Sequence, residues 1–312
     1  MSLPQRANAA VPGHPVKLFY CSGICNFGDE LSPYIVEKIT GRKVLSAGRE
    51  EPALYAIGSL LNYDVLHGNN VVWGTGLISE TSARILPKLF PFKRNIPILI
   101  QRLEKVSSEK SLITAVRGRL TRDVLTKAGH DCPDVYGDPG ILLREFFCPS
   151  EERRFKTGLI LHYSQDKLFS DEACAKQGIR KISLVCTPTR TVETIIAEIC
   201  QCGKIISSSL HGLILAHTYG VPARWIQLKG RRLHQSQSFK FLDYFSGIGV
   251  QPPAPIVICP NLTNLSALRN IEATVGGHPR LQAGSVAESI PLQFNMKVQR
   301  QMFLTSGKKL CK

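Results

Sequence analysis

Short apolar runs alternate along the chain with stretches of helical periodicity, and Gly, Pro or Ser punctuates most boundaries. Residues 17–20 predict a first strand. A polar loop follows, then a helix over 29–40 with Pro33 in its first turn, where a missing N–H is tolerated. Residues 71–73 predict a second strand ending in Gly74-Thr75-Gly76, and 113–116 a third running into a helix over 118–128 that Gly129 closes. The alternation restarts with strands at 158–161, 181–186, 204–207 and 223–228 and helices at 191–200, 210–219 and 238–245. A further helix is predicted at 263–275.

Strands alternating with helices argue for an α/β fold with parallel sheets and crossover connections. The polar stretch 149–156, with Pro149, Glu151, Glu152, Arg153 and Arg154, reads as a linker. It separates an N-terminal Rossmann-like domain, 17–148, from a second one, 157–312, with a flexible arm, 1–16, in front and a basic tail behind. Ligands of such sheets bind beyond the C-terminal ends of the strands. Four loops therefore carry the interest, at 21–29, 74–76, 137–140 and 207–212.

A length of 312 residues suits two domains, and 43% apolar against 20% charged residues is a globular balance. The net charge of +15 changes the picture more, because it points to anionic partners. It is dispersed and carries no nucleic-acid-binding motif, so nucleic acid is not expected as a partner. The start of the chain has three prolines and no apolar core, and no run approaches a membrane span. The expectation is a cytoplasmic chain whose ten cysteines are mostly reduced and buried. Neither Cys21/Cys25 nor Cys200/Cys202 has zinc-site spacing, so no metal is expected.

The segment from Lys204 through Ser207, Ser208, Ser209 and His211 to Gly212 is the strongest local signal. A buried strand leads into hydroxyls, a histidine and an apolar helix, which suits a bound phosphate or carboxylate. His211 is then an acid–base candidate. The same residues read equally as an N-cap at Ser209 with a surface histidine. Asn26, Gly28 and Asp29 give either a helix cap or a contact to an acceptor hydroxyl. Gly74 and Gly76 give a tight turn or a close approach to ligand, without a full dinucleotide fingerprint. Arg117 is a candidate for a carboxylate or phosphate, while Arg119 lies within a helix. Asp138 is a turn residue or the orienter of a catalytic group.

In their order and spacing these pieces resemble the polysaccharide pyruvyl transferase family, from Lys17 to about Tyr244. The matching elements are Asn26-Phe-Gly-Asp29, Gly74-Thr-Gly76, Val116-Arg-Gly-Arg-Leu-Thr121, Asp138-Pro139, Ser208-Ser-Leu-His-Gly212 with Ala216 and Gly220-Val-Pro222, and Lys240-Phe-Leu-Asp-Tyr244. The serine-rich form is similar to the branch that decorates bacterial exopolysaccharides such as succinoglycan. The resemblance implies a GT-B-like pair of Rossmann-like domains facing across a cleft. It implies transfer of pyruvate from phosphoenolpyruvate, as a ketal, onto two hydroxyls of a sugar in a lipid-linked oligosaccharide at the inner membrane. No redox cofactor or obligatory metal is implied. His211 becomes the acid–base residue. Arg117, Ser208, Ser209, Gly212 and Lys204 become donor-side candidates, and Asn26, Gly28, Asp29, Gly74, Gly76 and Asp138 acceptor-side or cleft candidates.

Two positions depart from the family pattern. An arginine commonly precedes the Leu-His pair, and here Ser209 stands there; Lys204, Arg224, Arg231 or Arg232 are the candidates to replace it. Cys25 stands where a glycine is common. Two other readings remain: a nucleotide-sugar glycosyltransferase of similar architecture, and a non-catalytic protein that binds carbohydrate or the acidic membrane surface.

Overall fold

The computed structural model describes residues 14–21, 27–83, 110–149, 152–230, 237–261, 265–274 and 286–289. Among these residues the strands form two parallel five-stranded sheets. The first contains β1 (Val16–Leu18), β2 (Val44–Ser46), β3 (Leu54–Tyr55), β4 (Val71–Trp73) and β5 (Leu112–Ala115), in the order β2-β1-β3-β4-β5. The second contains β6 (Thr157–Ile160), β7 (Ile179–Lys181), β8 (Ile205–Ser207), β9 (Ala223–Leu228) and β10 (Ile256–Ile258), in the order β10-β9-β8-β6-β7. Counted from its own first strand, each sheet has the order 2-1-3-4-5. The chain therefore lays down the same doubly wound pattern twice.

The connecting helices are α1 (Phe27–Thr40), α2 (Tyr63–Leu66), α3 (Arg119–Lys127), α4 (Asp171–Lys176), α5 (Val192–Cys200), α6 (Leu210–Thr218) and α7 (Gln237–Gly247). Local chemistry accounts for several boundaries. Thr191 caps α5 by accepting from the Thr194 N–H, and Ser170 caps α4 in the same way from Ala173. Gly129 and Gly220, both at positive φ, follow the ends of α3 and α6. β6 and β8 are buried at every position, as strands covered on both faces must be.

Three expectations change. Helix α1 starts at Phe27, so Pro33 lies inside it rather than in its first turn. The reason is non-local: the Phe27 N–H donates to the Leu184 carbonyl of the other half of the chain, at 2.8 Å. The strand expected over 181–186 is instead Ile179–Lys181; the Ile182 N–H still donates to the Leu159 carbonyl of β6, and Leu184 and Cys186 are buried beyond the strand's end. The helix expected over 263–275 is reduced, among the described residues, to a 3-10 turn at Ser266–Asn270. The short strands β2, β3 and β10 and helices α2 and α4 have no counterpart in the sequence reading. The tail and most of the N-terminal arm lie outside the described residues. Within the expected linker, Arg154 and Phe155 donate to the Gln201 carbonyl, which lays this segment along the second sheet.

One apolar cluster runs through both halves, from Val16, Leu31 and Trp73 to Ile160, Leu213 and Tyr244. Polar bonds reinforce the seam. The Tyr34 phenol donates to Glu193 at 2.6 Å, and the Trp73 indole N–H reaches the Val286 carbonyl at 2.8 Å. Two backbone stretches touch at paired glycines. A Cβ on Gly118 would sit 1.7 Å from the Asp243 carbonyl oxygen, and one on Gly247 would sit 2.2 Å from that of Arg117.

Candidate active site

In the order 2-1-3-4-5 the connections leave in opposite directions from the first and third strands, so a crevice opens beyond their C-terminal ends. In the second sheet that switch point lies between β6 and β8, paired in register from Gly158 with Ile205 to Ile160 with Ser207. The residues just past the two strand ends are Leu161 and His162 on one side and Ser208 and Ser209 on the other. Helix α6 then begins and carries His211 in its first turn. In the first sheet the corresponding point lies between β1 and β3, beside the start of α1.

The two points meet at His211. A Cβ on Gly28 would fall 2.3 Å from His211 Cε1 and 2.7 Å from Nδ1, so only glycine lets the imidazole lie against α1. His211 keeps some exposed surface, but its Nε2 is out of contact with solvent and has no hydrogen-bond partner among the described residues. Burial pushes its pKa down to about 3, helped by the positive charges of Lys240 and Arg117 and by His162. A buried polar atom without a partner is costly and is retained where it has a task. The ring is neutral near pH 7 and resists protonation there until something nearby favours the charged form.

Ser209 occupies the N-cap position of α6, but its side chain makes no capping bond. The ordinary capping explanation of this turn therefore fails. The first N–H groups of α6 stay available to an anion. The other two serines serve the turn itself. Ser207 Oγ accepts from the Ser209 N–H and donates to the Ser209 carbonyl. Ser208 Oγ accepts from the His162 N–H at 3.0 Å and donates to Gln165 Oε1 at 2.8 Å, so its hydroxyl is committed within the protein. A Cβ on Gly212 would meet Ser207 Oγ and Ile160, so this glycine packs α6 onto the sheet.

Arg117 is fully buried, and all three of its guanidinium nitrogens are engaged internally. Nε and Nη2 meet Asp243 Oδ2 at 2.9 Å, Nη1 donates to Ser59 Oγ and the Gly58 carbonyl, and Nη2 also donates to the Leu77 carbonyl. It presents no guanidinium face to a donor and acts on His211 through its charge alone. Lys204 is also displaced from its expected place. It precedes β8, about 13 Å of extended chain from Ser208, and its ammonium binds the carbonyls of Arg269 and Ile271. Arg224 donates to the Ala254 carbonyl. Arg231, Arg232, Asn26 and Cys25 lie outside the described residues.

The remaining candidates are mostly architectural. Gly74, at φ +85°, lets Pro139 approach, and Gly76 makes room for the Arg117 guanidinium. Asp29 accepts from the Cys21 N–H at 3.3 Å. Asp138 is buried, with Oδ1 accepting from Gly140 and Oδ2 without a partner; burial pushes its pKa up to about 6. Cys132 and Cys202 are buried thiols, which burial pushes up to about 12. Cys148 departs from the reduced expectation and is disulfide-bonded.

Lys240 on α7, in the sequence reading only a part of a family-like element, is a cation to which that reading gave no role in the site. Burial, and then the charge of Arg117, push its ammonium down to about 8. No carboxylate pairs with it among the described residues, and it lies 5.6 Å from the Phe241 ring centroid. An under-solvated ammonium beside a neutral imidazole and an uncapped helix start is an arrangement suited to an anion. A cavity of 1160 Å³ also opens among Lys156, Arg180, Lys204 and Arg269. It lies at the N-terminal ends of β6–β8, the wrong edge for a strand-switch site. Among the described residues no cluster of His, Cys, Asp and Glu is arranged to hold a metal ion, and no helix is long and apolar enough to cross a membrane.

The family model for polysaccharide pyruvyl transferase matches residues 26–229, which includes the start of α1, the switch point of the second sheet and the His211 turn. The chain belongs to the polysaccharide pyruvyl transferase family. It is also similar to a protein of Acanthamoeba polyphaga mimivirus described as uncharacterized protein L143, 27% identical over 290 residues, 88% of this chain and 91% of that one. As a pyruvyl transferase of polysaccharides it must hold a pyruvyl donor and bring a sugar to it. Lys240 lies beyond the residues that the family model matches.

Proposed function

We propose that this transferase moves pyruvate from phosphoenolpyruvate onto two hydroxyls of one sugar as a cyclic ketal, releasing phosphate. The observation that carries the reading is the His211 corner. A neutral imidazole, its Nε2 without a partner among the described residues, stands within electrostatic reach of the Lys240 ammonium at a start of α6 that Ser209 does not cap. Phosphoenolpyruvate is a small polyanion, and such a corner favours it through charge and directed N–H groups.

The atoms balance without redox chemistry. One sugar hydroxyl attacks C2 of the enol phosphate, and its proton passes through neutral His211 to C3, which becomes a methyl group. C2 acquires oxocarbenium character as phosphate leaves. The second hydroxyl closes the ring, and its proton departs with phosphate. The donor's own negative charge favours the protonated ring, against the burial and the nearby cations that hold the His211 pKa down, so the imidazole carries the proton best while donor is bound. Lys240 and the α6 N–H groups hold the anion, and Gly28 fixes the imidazole against α1.

In this reading the two halves form a GT-B-like pair, with the donor on the second half and the acceptor arriving over the start of α1. The acceptor is a lipid-linked oligosaccharide of an exopolysaccharide pathway, presented at the inner face of an acidic membrane, where the +15 charge assists approach. The test offers phosphoenolpyruvate and nucleotide sugars separately, with a pool of lipid-linked oligosaccharides. The expected result is acceptor-dependent phosphate release with pyruvate added to the glycan by mass. Consumption of a nucleotide sugar instead overturns the assignment.

A further inference from the structure

The cavity of 1160 Å³ at the N-terminal ends of β6–β8 is separate from the His211 crevice, which opens at the opposite edge of the same sheet. Its walls come from the start of β6, from β7, from α4 and from the segment 269–274. Small-molecule pockets usually run to about 300–1,000 Å³, so this one is large. A single phosphate or phosphoenolpyruvate would leave most of it empty.

Charge is a second, independent observation. Six cationic side chains line the cavity against two carboxylates, Asp171 and Glu272. Arg154 and Lys181 are paired, the one with Glu152 and the other with Asp166 and Asp171. Arg180 shares the carboxylate of Glu198 with Arg190. Lys204 binds the carbonyls of Arg269 and Ile271, which satisfies its N–H groups and leaves its charge in place. Lys156 and Arg269 are exposed and make no ion pair among the described residues. Ala175, Ile179 and Pro222 set apolar wall among these cations. A large cleft with spaced cations and apolar wall suits an extended organic polyanion better than a compact inorganic one.

Pyruvyl transfer makes such a ligand. A pyruvate ketal keeps its carboxylate, so each transfer adds one negative charge to the glycan. We propose that this cavity is a second glycan site, which binds oligosaccharide already carrying pyruvate through its carboxylates, with Lys156 and Arg269 as the cations left unpaired to meet them. The inference rests on the ketal reading above, since only a linkage that spares the carboxylate leaves it to be recognised. The cavity then gives the enzyme a hold on glycan that it has already charged, apart from the crevice where the charge is added.

Calorimetric titration of the full chain tests this with three probes: an oligosaccharide bearing two pyruvate ketals, the same oligosaccharide after mild acid has removed them, and inorganic diphosphate. The charged glycan is expected to bind about tenfold more tightly than the stripped one, the scale of contacts between ionised groups. Lys156→Gln/Arg269→Gln is expected to abolish that preference while phosphoenolpyruvate binds as before, and Lys156→Gln alone to reduce it. Equal affinity for the two glycans overturns the proposal. So does a preference that survives in the double variant, which puts carboxylate recognition elsewhere, or diphosphate binding as tight as that of the charged glycan, which makes the cavity a general anion site. The donor reading fails separately. A protein that binds no phosphoenolpyruvate yet shows a preference that the double variant lacks keeps this site and loses its donor, whereas one that binds phosphoenolpyruvate without the preference loses only this site.

Discussion

The Arg117–Asp243 pair gives the sharpest test of how the two halves are held together. Both side chains are fully buried. The Asp243 carboxylate accepts three hydrogen bonds, from Arg117 Nε at 2.9 Å, the Thr121 N–H at 2.8 Å and Thr121 Oγ1 at 2.7 Å, and Arg117 Nη2 lies 2.9 Å from the same Oδ2 as an ion pair. Asp243→Asn keeps the shape, removes the charge and turns an amide N–H₂ toward either the guanidinium or Thr121. It leaves a buried cation without its counter-charge, a change that costs about 3–5 kcal/mol. A protein of ordinary stability has about 5–15 kcal/mol in total, so the variant gives up a large share of it. Urea unfolding reads the loss as a lower midpoint at similar slope. Removing both partners in Arg117→Met/Asp243→Leu should cost less than the two single changes summed, because no orphaned charge remains. A loss below about 1 kcal/mol for Asp243→Asn would refute this account. So would Arg117→Lys if it raised the KM for phosphoenolpyruvate at unchanged stability, since the guanidinium would then be touching the donor.

His211→Ala should lower kcat by about a hundred- to ten-thousandfold while phosphoenolpyruvate still binds in calorimetry. Gly28→Ala places a methyl on the imidazole and should cut kcat by about a hundredfold, with far-ultraviolet circular dichroism unchanged. Lys240→Gln should raise the KM for phosphoenolpyruvate by about tenfold and leave the urea midpoint unchanged or higher, because an unpaired buried ammonium is removed. Stability should rise with pH between about 4 and 6. His130 and His217, each pushed down to about 4, and His211, at about 3, are neutral when folded but protonated when unfolded, while Asp138, at about 6, works in the opposite sense. The net uptake is about two protons on unfolding, or about 2.7 kcal/mol per pH unit. Unfolding curves that do not move across that range would contradict it.

The parallel α/β class, β4, β9 and the boundaries of α6 were legible because their signals are local: apolar runs of strand length and glycines after helix ends. What escaped depends on distant partners. Helix α1 begins early because Leu184 accepts its first N–H. The residues over 182–186 have a strand's composition but pack as irregular chain after β7. Around the candidate site, the place of His211 at the start of α6 was readable from its turn, whereas Lys204 was misplaced because adjacency in sequence conceals that a strand carries its two ends apart. Arg117 has the look of a ligand residue until its internal partners are traced. Lys240 and His162 come from separate elements and meet His211 only through the topology.

The contact of Gly118 and Gly247 bears on attempts to recombine these enzymes. Arg117, Gly118 and Thr121 belong to the first half, and Asp243 and Gly247 to the second, so they form a lock whose parts lie on opposite sides of residues 149–156. A chimera cut in that segment inherits one side of the lock from each parent. Where the other parent carries any side chain at the position of either glycine, the halves are wedged apart, and the imidazole loses its seat against α1. Acceptor preference is therefore better exchanged loop by loop, at the strand ends, than by exchanging halves.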